Sequence, residues 1–423
     1  MKSKTFFIYR DGSGDKTSCY REFSDEYGLD QSNQYISMPL VEKMLKDSSY
    51  APCYRIFELH SDESIKCEIP QGDIQLGGNY QENYQSGERR NVNFTLLNND
   101  GKYTPNVDTL WANTKIKLEV GLRNVYGDEA IWFSNGIYAI QQPSPNENDK
   151  TVSVSARDKF SILTGPLGVI PETYEIDIGT PIKDIVEDIL TMQDGAGNML
   201  DPKPIIWPLI AKDKKTEAKL SGNAGDTYGN LILQIAEMIN CEVFYNAEGN
   251  LTFVPIVEVI KDGDKPVLYN YVDTENNISA ISYSYDFNSI VNAVCVYGAT
   301  VNGHTCLAKA YNDNPNSPIN SKRIGVRWAA PINDSNITAD FLAEERAEYE
   351  LRLKTILKTN FTIAEKFNPL LSVNNLVTIT NPFFDMEKDR FVIQSLQYGL
   401  DYSGTVNITA SNINNLKNTY GGA

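Results

Sequence analysis

Leu110-x-x-Asn113-x-x-Ile116-x-Leu118, followed by Ile137-Tyr138-Ala139-Ile140-Gln141 and Thr151-Val152-Ser153-Val154-Ser155-Ala156-Arg157-Asp158, decides how this chain folds, because the same order returns downstream. There Leu371-x-x-Asn374-x-x-Val377-x-Ile379 leads to Phe391-Val392-Ile393-Gln394, then to Thr405-Val406-Asn407-Ile408-Thr409-Ala410-Ser411-Asn412. Apolar residues at every second position mark strands with one buried and one wet face. Any two β regions share such alternation. The matched Leu–Asn offset, the Ile-Gln pair and the Thr-Val start go further and read as a duplicated three-strand unit.

Around the first copy, Val92, Phe94 and Leu96 alternate with Asn93 and Thr95, and Ile116, Leu118 and Val120 alternate with Lys117 and Glu119. Asn98-Asn99-Asp100-Gly101 and Ser144-Pro145-Asn146 supply turns, so 52–165 reads as a small antiparallel barrel or sandwich. The stretch 166–270 changes period. Ile182, Ile185, Val186, Ile189 and Leu190 form one helical face behind Thr180 as N-cap and Pro181; Tyr228, Leu231, Ile232, Ile235 and Ile239 form another, opened by Asp226 or Thr227. Cys241–Pro255 then reads as a hairpin about Glu248-Gly249, which makes an α+β insert. Strands resume over 271–416, with a helix near 338–355 capped by Thr338. Residues 1–51 read as an N-terminal arm with one short helix at Met38–Asp47, and 417–423 as a frayed tail.

At 423 residues the chain exceeds one ordinary core, which predicts several domains. Its formal charge of −17, from 38 basic and 55 acidic residues, disfavours nucleic acid as a ligand, since DNA binding exchanges phosphate counterions for Lys and Arg. The same charge suits a wall that DNA slides past, or simply maintains solubility. No apolar run has bilayer length, and the apolar stretch after the basic start ends at Tyr9, too short for a secretory signal; synthesis and assembly in a cytoplasm are expected. Cys19, Cys53, Cys67, Cys241, Cys295 and Cys306 form no CxxC pair, and only His60 and His304 could serve zinc or a triad, so no metal, cofactor or catalytic site is expected. GxSxG, P-loop, GxGxxG and HExxH are all missing. The Asp11–Asp15 and Asn98–Lys102 passages lack the Glu of an EF-hand and read as turns. Arg89-Arg90 reads either as half of an ion pair or as a wet strand end. Glu119, Asp158, Asp385 and Glu387 read as acidic wet-face positions.

Passages in three regions resemble the phage tail hub family. Gly87–Asn106, Trp132–Ile140 and Thr151–Leu163 are similar to its first barrel; Gly225–Pro255 is similar to its helix-plus-hairpin insert; Asn288–Gly298, the helix near 338–355 and Phe367–Pro382 are similar to its second barrel. The resemblance covers 55–415 and rests on the order of these modules. It implies a mainly β fold with two tail-tube-like antiparallel β-barrels and an α+β insert. It further implies a homotrimer whose six barrels form a ring between a hexameric tail tube and a threefold tip, because a trimer meets a hexamer when each subunit presents two equivalent faces. Lys115, Ile116 and Leu118, with Leu376, Val377 and Ile379, are then the equivalent ring-interface strands. The implied partners are a second and third copy, the tail tube protein, a central spike or tail-tip protein, and tape measure and baseplate wedge proteins. DNA passes without specific binding, no membrane is entered, and the place is the virion tail or baseplate. The competing readings are another tail-tip component, such as a distal ring or adhesin, and a carbohydrate-binding or carbohydrate-cleaving β protein.

Overall fold

The computed structural model describes residues 4–9, 19–24, 28–29, 47, 49–126, 130–193, 197–208, 213–216, 219–239, 241–255, 267–272, 278–285, 287–288, 290–301, 303–334, 337–354, 359–384, 386–401 and 404–412. The Met38–Asp47 helix (Asp47 apart), the Asp11–Asp15 passage, Asp385 and the 417–423 tail lie outside them. The chain divides into two compact units, one built from 1–257, 364–373 and 395–407, the other from 258–363, 374–394 and 408–423.

In the first unit, β1 (Lys4–Tyr9), β2 (Cys19–Ser24) and β3 (Gly28–Leu29) pair in sequence. They are followed by β4 (Tyr50–Leu59), β5 (Ile65–Ile69), β6 (Ile74–Asn83), β7 (Arg90–Leu97), β8 (Lys115–Asn124), β9 (Ala130–Asn146) and β10 (Thr151–Asp158). The last seven pair in the order β5-β4-β8-β9-β10-β7-β6, and β1 joins the start of β9 in parallel. Val92, Phe94 and Leu96 are fully buried while their neighbours on β7 are half-exposed, the burial that their alternation demands. β8 departs from that pattern. Both of its faces are covered, and Glu119, expected on a wet face, is buried between Arg55 Nε at 2.6 Å and Lys117 Nζ at 2.5 Å.

The α+β insert belongs to this unit. It consists of α1 (Phe160–Thr164), β11 (Tyr174–Ile176), α2 (Ile182–Thr191), β12 (Leu220–Gly222), α3 (Tyr228–Met238) and the hairpin β13 (Cys241–Tyr245) and β14 (Leu251–Pro255). The five apolar residues read on the α2 face are all buried, and Thr227 caps α3 by accepting from the Asn230 N–H. Thr180 is not the cap of α2. Its hydroxyl donates to the Asp177 carbonyl, and the helix begins after extended Pro181. At the hairpin turn Gly249 has φ +79°, and a Cβ there would come within 2.7 Å of the Ile137 side chain, so glycine is required twice over.

The second unit holds β15 (Val267–Val272), β16 (Ile278–Tyr285), β17 (Ala293–Val301), β18 (His304–Tyr311), α4 (Ser321–Ile324), β19 (Ile332–Asn333), α5 (Asp340–Lys354) and β21 (Leu376–Asn381); β20 (Thr359–Lys366), β22 (Met386–Leu400) and β23 (Thr405–Asn412) contribute residues to both units. β15 joins β21 in parallel, and the order continues β22-β23-β20-β16. A separate sheet, β18-β17-β19, packs its Val294, Val296, Cys306 and Ala308 against Ala343, Ala347 and Leu351 of α5.

The expected pair of closed barrels is not what forms. The fold is mainly β with a helical insert, but among the described residues the pairings in each unit run as an open path. β6 uses one edge for β7, and Gly78–Asn83 of the other edge is taken by Ser395–Leu400 of β22; among the described residues it pairs with neither β4 nor β5. In the second unit β15 and β16 stand at the two ends of the order and do not pair with each other. Each strand has two hydrogen-bonding edges, and here the edge that closure would need is taken by a different strand or left open.

Candidate assembly site

The duplicated unit recurs in the backbone as well as in the residues. Leu110 and Leu371 are buried anchors, and Asn113 and Asn374 both adopt left-handed conformations, with φ of 66° and 63°. Asn tolerates this region better than other residues bearing a Cβ, which explains its place in both copies. The following hairpins share one register. Lys115 faces Ala139 and Ile116 faces Tyr138 in the first copy; Leu376 faces Val392 and Val377 faces Phe391 in the second. The Ile140 N–H donates to the Thr114 carbonyl at 3.0 Å, and the Ile393 N–H donates to the Asn375 carbonyl at the same distance. Gln141 and Gln394 each turn their amide back to a carbonyl two residues earlier, at 3.1 and 3.3 Å. In the third strand Val152, Val154 and Ala156 are buried, as are Val406, Ile408 and Ala410.

All six candidate interface residues lie in these copies, Lys115, Ile116 and Leu118 on β8 and Leu376, Val377 and Ile379 on β21, and all six are buried. β8 is hydrogen-bonded to β4 and β9, and β21 to β15 and β22. The groups next to them that reach solvent are Val107 and Trp111 on the approach to β8, and Phe383 just after β21.

Sequence reasoning missed a buried ion cluster that ties the first copy to the α+β insert. Lys159 Nζ lies 2.7 Å from Glu63, 2.6 Å from Asp201 and 3.0 Å from the Gly249 carbonyl, and Lys115 Nζ lies 2.8 Å from the same Glu63 oxygen. Burial raises the proton affinity of Glu63, but Lys159 and Lys115 outweigh it and hold the carboxyl below its ordinary range. Beside the cluster, Arg89 pairs with Glu242 at 2.5 Å and Arg90 with Glu82 at 2.7 Å, both pairs buried, so Arg89-Arg90 is an ion-pairing motif and not a wet strand end. Asp158, expected on a wet face, is buried too. It accepts from the backbone N–H groups of Arg89, Arg90 and Phe160, and burial pushes its pKa up to about 6 against those hydrogen bonds. Glu387 is exposed as expected. No local pattern announces the cluster, because its members stand at 63, 115, 159 and 201 and only the fold joins them.

These groups are shielded from any substrate and serve to hold strands together. Among the described residues no group of three or more His, Cys, Asp or Glu is arranged to hold a metal ion, and no helix is long and apolar enough to cross a membrane. His304 pairs with Asp340 at 3.0 Å on the surface, and Cys53, Cys67, Cys241, Cys295 and Cys306 are free thiols, with Cys53 pushed by burial up to about 12. The Asn98–Lys102 passage is a turn, closed by the Gly101 N–H on the Asn98 carbonyl.

No family model and no curated protein matches the sequence. Solved structures do match the fold. The 43 kDa tail protein of prophage MuSo2 from Shewanella oneidensis aligns with a TM-score of 0.55 at 13% identity, over 85% of this chain and 98% of that one. The tail protein from Neisseria meningitidis MC58 aligns at 0.53 and 13% identity, over 88% and 99%. A chain of the Francisella PdpA-VgrG complex aligns at 0.52 and 12% identity, over 86% of this chain and 65% of that one. The protein therefore has a fold seen in a prophage tail protein, in a second bacterial tail protein and in a chain of a PdpA-VgrG complex.

Proposed function

We propose that this chain is a structural, non-catalytic subunit of a phage tail or related injection machine, acting as the hub that adapts a hexameric tail tube to a threefold tip. The observation that carries this reading is the duplicated hairpin, whose two copies share register, left-handed Asn and side-chain hydrogen bonds. Two equivalent modules per chain are what a trimer needs to present six similar positions to a hexamer. The fold shared with two tail proteins supports the same setting. In this reading the chain works in the virion as a homotrimer, contacting the tail tube protein, a central spike or tip protein, and tape measure or baseplate wedge proteins. Because the six strand residues are buried, contacts between subunits fall to exposed groups such as Trp111 and Phe383. The −17 charge suits a channel through which DNA passes without adhering. The test is the copy number in intact particles, by mass measurement or electron cryo-microscopy. Three copies in register with a six-subunit tube ring are expected; six copies, or one, would overturn the reading.

A further inference from the structure

The small β18-β17-β19 layer of the second unit has two outer surfaces of opposite chemistry. Along β18, Cys306, Ala308 and Ala310 point toward α5, so Leu307, Lys309 and Tyr311 face away from it. Tyr297 stands opposite Leu307 on the same side, and Trp328 meets Tyr311 edge-to-face at 5.4 Å, with Lys309 Nζ 5.9 Å from the indole. The four apolar groups are between 38 and 46% exposed. The exposed segment Lys322–Trp328 leads into this face and adds Lys322, Arg323 and Arg327, although Asp313 pairs with Lys322 and the Phe287 carbonyl takes one Arg327 N–H. In a chain of charge −17 this is a local basic, aromatic surface.

Helix α5 supplies the complement. Ala343, Ala347 and Leu351 bury one side of it, and the opposite side carries Phe341, Glu345 and Tyr349 at four-residue spacing, with exposed Glu344 and Glu348 along one flank and Arg346, 5.9 Å from the Tyr349 ring and paired with Glu350, along the other. Phe341 is 61% and Tyr349 46% exposed. The two rows match in order and in pitch. Leu307–Lys309–Tyr311 runs apolar, positive, apolar with about 6.8 Å between successive groups on a strand. Phe341–Glu345–Tyr349 runs apolar, negative, apolar with about 6 Å between groups on a helix.

We propose that the α5 face of one copy docks on the β17–β18 face of a second copy. The two surfaces lie on opposite sides of one layer, so they cannot meet within a chain. A contact between unlike surfaces is head-to-tail, and it closes into a ring when the rotation between neighbours divides a full turn. Tyr, Trp and Phe at the centre with charges around them is the composition of an interface core and its rim. A nucleic-acid strand would also suit aromatic and basic groups, but the charge of the whole chain opposes it. The inference rests on the self-assembly part of the proposed function and assigns it a surface.

The test is sedimentation of the full chain at low and high salt, with Lys309→Glu, Glu345→Lys and the double variant. Salt-sensitive association is expected, weakened about tenfold or more by either single change and restored by the double, in which the charge pair is reversed. All the substituted groups are exposed, and equal thermal unfolding of the variants confirms that the fold is kept. Association that ignores both single changes overturns the inference, as does a wild-type chain that never associates or a surface that captures a different, acidic protein in place of a second copy. Copy number in the particle is measured separately. Three copies that incorporate the Lys309→Glu chain at normal levels would defeat this surface and leave the hub reading standing.

Discussion

The two copies of the three-strand unit share a backbone and differ in what surrounds it. In the first, β8 lies antiparallel to β4 over ten residue pairs, and Lys115 runs into a buried cluster completed by Lys159 and by Asp201 of the insert. In the second, Leu376 takes the place of Lys115, β21 meets β15 in parallel, and the Thr378 hydroxyl donates to Asn270 at 2.7 Å. Turn and register are therefore properties of the unit, while charge is a property of its neighbours. The Lys159 cluster occurs where the α+β insert packs on the first copy, and in the second copy the position of Lys115 is taken by apolar Leu376.

Four changes would break or sharpen this contrast. The largest effect is expected from Lys159→Met, which leaves Asp201 in the interior without its cation and Glu63 with Lys115 alone, and should lower stability by about 3–5 kcal/mol in denaturant titration. Leu376→Lys, which gives the second copy the residue of the first without its partners, should fall in the same range, whereas Lys115→Leu should lose less because Lys159 still holds Glu63. If Leu376→Lys is tolerated, the copies are chemically interchangeable and the contrast fails. Next comes pH. The folded-state pKa of Asp158, about 6, lies above its ordinary 3.8, so its protonated form favours the fold, and that contribution is lost as pH rises from 4 through 6. Asp158→Asn, which installs the residue found at position 412, should remove from the stability profile a component on the order of 3 kcal/mol. Glu63 has the opposite sign, its contribution present above the ordinary carboxylate range and lost as pH falls below it, so the two separate on one pH series.

Smaller effects test the likeness instead of the difference. Asn113→Ala and Asn374→Ala should each cost about 1 kcal/mol, and Gly at either position should be close to neutral, since the left-handed backbone is what Asn tolerates there. Unequal values would mean that one turn is held by its surroundings. Gln141→Ala and Gln394→Ala should each cost about 0.5 kcal/mol, read as matching small shifts in unfolding temperature.

Strands, helices and the duplication were legible because each is a local or periodic signal. Val92, Phe94 and Leu96 alternate because β7 has one covered face, and the α2 residues repeat at helical spacing for the same reason. The readings that failed concern partners distant in sequence. Glu119 and Asp158 alternate with apolar residues like any wet-face acid, and it is Arg55 with Lys117, or the N–H groups of Arg89, Arg90 and Phe160, that make them interior groups. Closure into barrels failed for a related reason. Alternation tells a strand which face to bury but not which edge to pair, and the outer edge of β6 is claimed by β22. Of the candidate assembly site, the strands were readable, but their burial was not, because both faces of β8 are covered by elements that its own alternation does not reveal.

That pairing has a consequence for the newborn chain. β6 ends at Asn83, and the segment that completes its outer edge begins at Ser395, roughly 300 residues later. At about 5–20 residues per second, a ribosome takes on the order of 15–60 s to deliver it. Throughout that interval β6 carries a row of unmet amides and carbonyls, the feature by which nascent chains on neighbouring ribosomes adhere to one another. Slowing synthesis downstream of β6 should therefore enlarge the aggregated fraction without altering a single contact of the finished protein.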